Sequence, residues 1–129
     1  MNKTAYLEFL RSKLPVAEQS GAVPPSPCHE SLKPHQREIC EWAMRGGRRA
    51  VFAQFGLGKT RMSLQIAKWV VEMARGQRGC KTQFLIVAPL GVRQEFTAND
   101  GPAMGIRVEY VRTMAEAEAS KFFASAFGK

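Results

Sequence analysis

Residues 50–61 read Ala50-Val51-Phe52-Ala53-Gln54-Phe55-Gly56-Leu57-Gly58-Lys59-Thr60-Arg61, and helix formers continue to Ala74. Each residue type in this run has a use with phosphates. Glycines let successive backbone N–H groups curl around an anion, and a helix N-terminus adds its partial positive charge. A lysine at position 59 reaches terminal phosphates, and a threonine hydroxyl at position 60 can take a place on Mg²⁺. The order of apolar run, glycine-rich turn and helix predicts a strand–loop–helix phosphate cradle. Its nucleotide contacts would fall on Phe55, Gly56, Leu57, Gly58, Lys59, Thr60 and Arg61, with Thr60 meeting a Mg²⁺ carried by the nucleotide. An ordinary glycine-rich turn before a helix is the competing reading.

The elements that must position this loop come from a chain of 129 residues, enough for one domain with a modest core. The longest apolar runs are too short to span a bilayer, and Glu8 interrupts the only N-terminal stretch resembling a signal core. The expected setting is cytoplasmic, with no membrane partner. Three cysteines with no close pair, Cys28, Cys40 and Cys80, suit a reducing compartment. Cys28, His29, His35 and Cys40 have poor spacing for a metal site, because adjacent ligands chelate badly and no second pair supports them.

Charge is distributed unevenly. Residues 33–81 hold eleven Lys and Arg against Glu38, Glu41 and Glu72, while the flanking regions are balanced, so the whole net charge of +8 surrounds the glycine-rich loop. Such a patch attracts nucleotide phosphates, nucleic acid or both.

Residues 1–14 are expected to form an N-terminal helix, with Tyr6, Phe9, Leu10 and Leu14 on one face and Pro15 ending it. Residues 15–31, rich in proline and without periodicity, read as a linker. Pro34 suits the first turn of a second helix that Gly46 and Gly47 terminate. Residues 50–54, 84–88 and 106–111 are expected to be strands, the second a continuous apolar run of the kind found in parallel sheets. Helices at 60–74 and about 92–98, a turn at 99–102, and a last helix capped by Thr113 complete the pattern. The predicted fold class is α/β: a parallel sheet of about three strands with crossover helices over residues 32–129.

Three separated segments resemble one family. Leu32-Lys33-Pro34-His35-Gln36 precedes the loop, Ala53 to Thr60 forms it, and Leu85-Ile86-Val87-Ala88-Pro89-Leu90 follows one helix later. Together they look like the start of the first RecA-like lobe of a superfamily 2 helicase, closest to DEAD/DEAH and Swi/Snf-type ATPases of phages and mobile elements. The resemblance covers about residues 30–112. It implies a partial RecA-like P-loop domain, ATP and Mg²⁺ as cofactors, and an adenine-reading role for Gln36, whose amide could pair bidentately with the base edge. It also implies that Pro89, Leu90, Gly91 and Arg93 touch a nucleic-acid backbone. Ala53 stands where the general loop pattern has its first glycine, a variation common among these helicases.

Helicases of this family next require a strand ending in Asp-Glu, to hold Mg²⁺ and position water. Here Asp100 is the only aspartate and has no acidic neighbour. The expectation is therefore an ATP-binding N-terminal piece that binds ATP or ADP without efficient hydrolysis and does not unwind. The alternative is a non-enzymatic module that binds DNA or a helicase partner, using the Phe-rich segment 121–129. A small P-loop kinase is a weaker third reading, since no lid arginines or acceptor base stand out.

Overall fold

The computed structural model describes residues 3–13, 18–76 and 84–120. Helix α1 spans Lys3–Lys13, α2 Pro34–Gly46 and α3 Lys59–Arg75; a 3₁₀ turn, Leu90–Val92, leads into a π-helical turn, Glu95–Asn99, then α4, Asp100–Ala103, and α5, Met114–Ala119. Helices account for 57% of the described residues, and no strand is found among them.

This overturns the expected parallel α/β sheet and, with it, the RecA-like fold class. The three segments expected to be strands belong to no helix, and none pairs with a neighbouring strand among the described residues. In 50–54 the carbonyls of Ala53 and Gln54 accept from the Lys59 ammonium instead, and Phe52 is 97% exposed. In 84–88 the side chain of Val87 is 90% exposed. The segment starting at Ile106 is fixed to the helix before it, where the Ile106 amide donates to the Gly101 carbonyl at 2.8 Å. An apolar run specifies a strand only when another strand accepts its N–H and C=O groups. The described residues provide no such neighbour.

What is buried is a helical core. Cys40 and Met44 of α2 meet Met62, Leu64 and Trp69 of α3, closed by Leu32 from one side and by Met104 and Ile106 from another. Helix α3 buries more than one stripe, as its sequence predicts: Met62, Leu64, Gln65, Ala67, Trp69 and Val71 are all inside. On α2 the inward face is Cys40, Ala43 and Met44, while Trp42 is half-exposed and carries the Arg49 guanidinium 5.4 Å from its ring centre. Pro34 sits in the first turn of α2 and Gly47, at φ +76°, ends it, both as expected.

The proline-rich segment is a packed strap. The amides of Ser20, Gly21 and Ala22 donate to the carbonyls of Gly46, Arg45 and Met44, satisfying acceptors that a helix end leaves orphaned. Further along, the Trp69 indole donates to the Ser26 carbonyl at 2.8 Å, Ser26 Oγ to Glu72 at 2.7 Å, and the His29 amide to Gln65 Oε1 at 2.8 Å. Ala22, Pro24, Ser26 and Cys28 are half-buried and alternate with exposed Gly21, Val23, Pro25 and Pro27. That period of two belongs to extended backbone, and prolines pre-set it. In contrast, α1 buries none of its residues. Leu14, Pro15, most of the expected basic turn 76–81, Cys80 and the segment 121–129 lie outside the described residues.

The last described helix begins as its sequence predicts. Thr113 Oγ1 accepts from the Glu116 amide at 3.2 Å, and the Glu116 carboxylate accepts from the Arg112 amide at 2.7 Å. The expected turn at 99–102 is instead the helical turn α4, closed by the Met104 amide on the Asp100 carbonyl at 3.0 Å. No helix among the described residues is long and apolar enough to cross a membrane.

Candidate phosphate-binding site

The loop that enters α3 adopts two left-handed residues, Gly56 at φ +79° and Gly58 at φ +77°, with Gly58 as the N-cap of the helix. Side chains other than glycine resist this region. At Gly58 a second constraint applies, because a Cβ there would run into the Gln36 amide, whereas a Cβ at Gly56 would meet open space. The loop therefore curls tightly into the helix N-terminus, whose first amides lack intrahelical acceptors. Those amides and the helix dipole favour a negative group at this position.

Lys59, the first residue of α3, folds back over the loop. Its ammonium lies 2.9 Å from the Ala53 carbonyl, 2.9 Å from the Gln54 carbonyl and 5.2 Å from the centre of the Phe55 ring. Val51, Phe52, Ala53, Gln54 and Lys59 together line an open cleft of about 480 Å³. Phe55 is wholly exposed and Leu57 is partly so. Thr60 is half-buried in the first turn of α3, and its hydroxyl has no hydrogen-bond partner among the described residues.

Gln36 is buried at 5% exposure and ties the loop to α2. Its Oε1 accepts from the Lys33 amide at 2.9 Å and its Nε2 donates to the Leu57 carbonyl at 2.9 Å. The same amide that the resemblance assigns to adenine is thus engaged with the protein on both atoms. Arg61 is also engaged: its Nε lies 2.8 Å from Asp100 Oδ1, joining the first turn of α3 to α4. Seven of the residues expected to contact nucleotide, from Phe55 to Arg61, therefore lie on one loop and one helical turn, and Gln36 braces that loop from behind.

Pro89, Leu90, Gly91 and Arg93 lie together on the exposed 3₁₀ turn, closed by the Val92 amide on the Pro89 carbonyl at 3.1 Å. No hydrogen bond or ion pair among the described residues joins them to the loop 53–60. Arg93 instead stacks on Tyr110, its guanidinium carbon 5.0 Å from the ring centre.

Two features escaped the sequence reading. The Lys33–Gln36 spacing is that of a helix N-terminal bond from the third residue back to the cap, and this was the available signal for the loop brace. Nothing local signals the pairing of Arg61 with Asp100, which are 39 residues apart. Among the described residues no group of three His, Cys, Asp or Glu could hold a metal ion. The one side chain of this loop that the resemblance would set against a nucleotide-borne Mg²⁺ is Thr60, in the first turn of α3. Comparison with protein-family models, with curated proteins and with solved structures finds no match to this chain.

Proposed function

We propose that this chain binds nucleotide phosphates at the loop 53–60, taking ATP or ADP with Mg²⁺ as an ATP-binding piece of a helicase- or translocase-type ATPase. The carrying observation is the pair of left-handed glycines, Gly56 and Gly58, delivering the chain into α3 with Lys59 poised across the loop mouth. An incoming phosphate offers the ammonium charged acceptors in place of two neutral carbonyls, and charge-assisted bonds are roughly twice as strong as neutral ones. The resemblance of segments 32–36, 53–60 and 85–90 to superfamily 2 helicases supports ATP as the nucleotide.

Efficient hydrolysis by this chain is not part of the proposal. Its single aspartate is held by Arg61 and no Asp-Glu pair occurs in the sequence, so the usual Mg²⁺ ligand and water-positioning carboxylate have no counterpart here. Titration calorimetry with Mg²⁺-ATP tests the reading. Lys59→Ala should weaken binding at least tenfold, and equal affinity in both proteins would reject the role given to Lys59.

The charge distribution favours a second reading, a binding module for DNA or for a helicase partner. Eleven cations against three carboxylates in residues 33–81 provide the polyanion-attracting surface. DNA retention at low salt that falls steeply with added salt supports it. Absence of retention at low salt, together with no captured helicase, counts against it.

A further inference from the structure

A second concavity, of about 510 Å³, opens between the helical turns after Leu90 and the extended segment 107–110, lined by Arg93, Thr97, Arg107, Val108, Glu109 and Tyr110. Its volume lies within the roughly 300–1,000 Å³ typical of small-molecule sites. The lining carries two guanidinium groups and one carboxylate, a net positive charge that favours an anion. Arg93 has no carboxylate partner among the described residues. Its guanidinium carbon lies over the Tyr110 ring, 5.0 Å from the centre, a contact that limits the freedom its planar fork loses on meeting a phosphate.

The backbone beneath is unusual. The π-helical turn Glu95–Asn99 begins two residues after Arg93, and the Thr97 hydroxyl donates back to the Arg93 carbonyl at 3.0 Å. Such widened turns occur frequently at functional sites. Here the turn fixes the backbone from which Arg93 projects.

An aromatic ring stacked with arginine offers a π-surface of the kind that accepts nucleobases without regard to sequence. Beside it Glu109, which already accepts from Ser120 Oγ, has further acceptor capacity for an amino group or a sugar hydroxyl. A simple anion would make no use of Tyr110, and an apolar ligand would make none of the two arginines. From this combination we propose that the concavity binds one nucleotide unit, its phosphate on Arg93 and Arg107 and its base against Tyr110. The unit is either a free mononucleotide or one nucleotide of a single strand. The inference shares no residue with the phosphate-loop reading; it deepens the DNA-binding one, adding Tyr110, Arg107 and a base to Arg93, which the helicase resemblance sets on a nucleic-acid backbone.

Fluorescence anisotropy of the full chain with a short labelled oligo-dT, with unlabelled dTMP and inorganic phosphate as competitors, tests the proposal. Arg107→Ala and Tyr110→Ala should each weaken binding about tenfold or more, Tyr110→Phe should retain it, and Lys59→Ala should leave it unchanged. All these side chains are exposed, and a thermal melt checks that each variant folds. Competition by dTMP identifies the free nucleotide as a ligand, whereas binding of the oligonucleotide alone identifies the strand; either supports the site. Wild-type affinity in both Arg107→Ala and Tyr110→Ala overturns it. So does inorganic phosphate competing as well as dTMP, which would mean that no base is recognised. Binding lost only in Lys59→Ala also overturns it, while leaving the phosphate-loop reading intact.

Discussion

The side-chain amide of Gln36 bridges two elements, accepting from the Lys33 amide and donating to the Leu57 carbonyl, each at 2.9 Å. It closes the first turn of α2 and at the same time holds the glycine loop before α3 against that helix. A group serving both purposes acts on the shape of the loop, so its effect should extend to every ligand of the loop.

Replacing Gln36 by Ala should therefore weaken ATP, GTP and pyrophosphate binding to the same extent. Stability should fall by about 1 kcal/mol, because the partly exposed Leu57 carbonyl loses its donor and the Lys33 amide its acceptor. Calorimetry with the three ligands, beside urea unfolding, checks this. A loss confined to ATP would instead assign the amide to the adenine edge, as the helicase resemblance implies.

The two loop glycines should respond differently to the same substitution. Gly56→Ala confronts only the left-handed backbone, costing about 1–2 kcal/mol. Gly58→Ala meets that cost and also forces its methyl into the Gln36 amide, so its loss should be clearly larger and should be partly relieved in the Gln36→Ala background. Urea denaturation of the two single variants and the double variant measures the coupling. Additive losses for Gly58→Ala and Gln36→Ala would show that the two sites do not touch.

Arg61 and Asp100 make the described ion pair that links the loop helix to α4, with side chains 37% and 17% exposed. Partial exposure limits its worth to about 1 kcal/mol, less in high salt. Asp100→Asn should lower stability by that order while leaving Mg²⁺-ATP affinity near wild type, since the carboxylate is committed to Arg61. A double-mutant cycle with Arg61→Ala isolates the pair. A large loss of Mg²⁺-dependent nucleotide binding in Asp100→Asn would show that this carboxylate serves the metal.

Local chemistry was legible in the sequence wherever a single element determined it. Pro34, Gly47 and Thr113 start or stop helices as their types demand, and the composition of α3 announced a helix buried on more than one side. The loop glycines at 56 and 58 were legible for the same reason. Sheet formation was not, because a strand depends on a neighbour that no local pattern supplies; Phe52 and Val87 sit in apolar runs yet face outward. The strap was hidden by a different ambiguity. Prolines favour an extended backbone whether or not it packs, and what fixes 18–31 is a set of distant partners, Met44, Gln65, Trp69 and Glu72. Arg61 and Asp100 belong to the same class of long-range pairing.

The core also predicts a pH response. Cys40 is fully buried, and its thiol is pushed up to about 12, first by that burial and then by Cys28 and Glu41 nearby. Its ordinary value is 9.0. Between these two values the folded chain keeps a proton that the unfolded chain releases, so folding stability must fall as pH rises through that window. The slope contributed by this one group approaches 1.4 kcal/mol per pH unit. Other groups titrate there too, which makes the difference between wild type and Cys40→Ala the informative quantity. Cys40→Ala should be less stable at pH 8, through loss of the buried sulfur, and the gap should narrow steadily toward pH 11. Guanidinium unfolding at several pH values gives that difference directly. A gap independent of pH would mean that the Cys40 thiol ionises as freely in the folded chain as in the unfolded one, contradicting its place between α2 and α3.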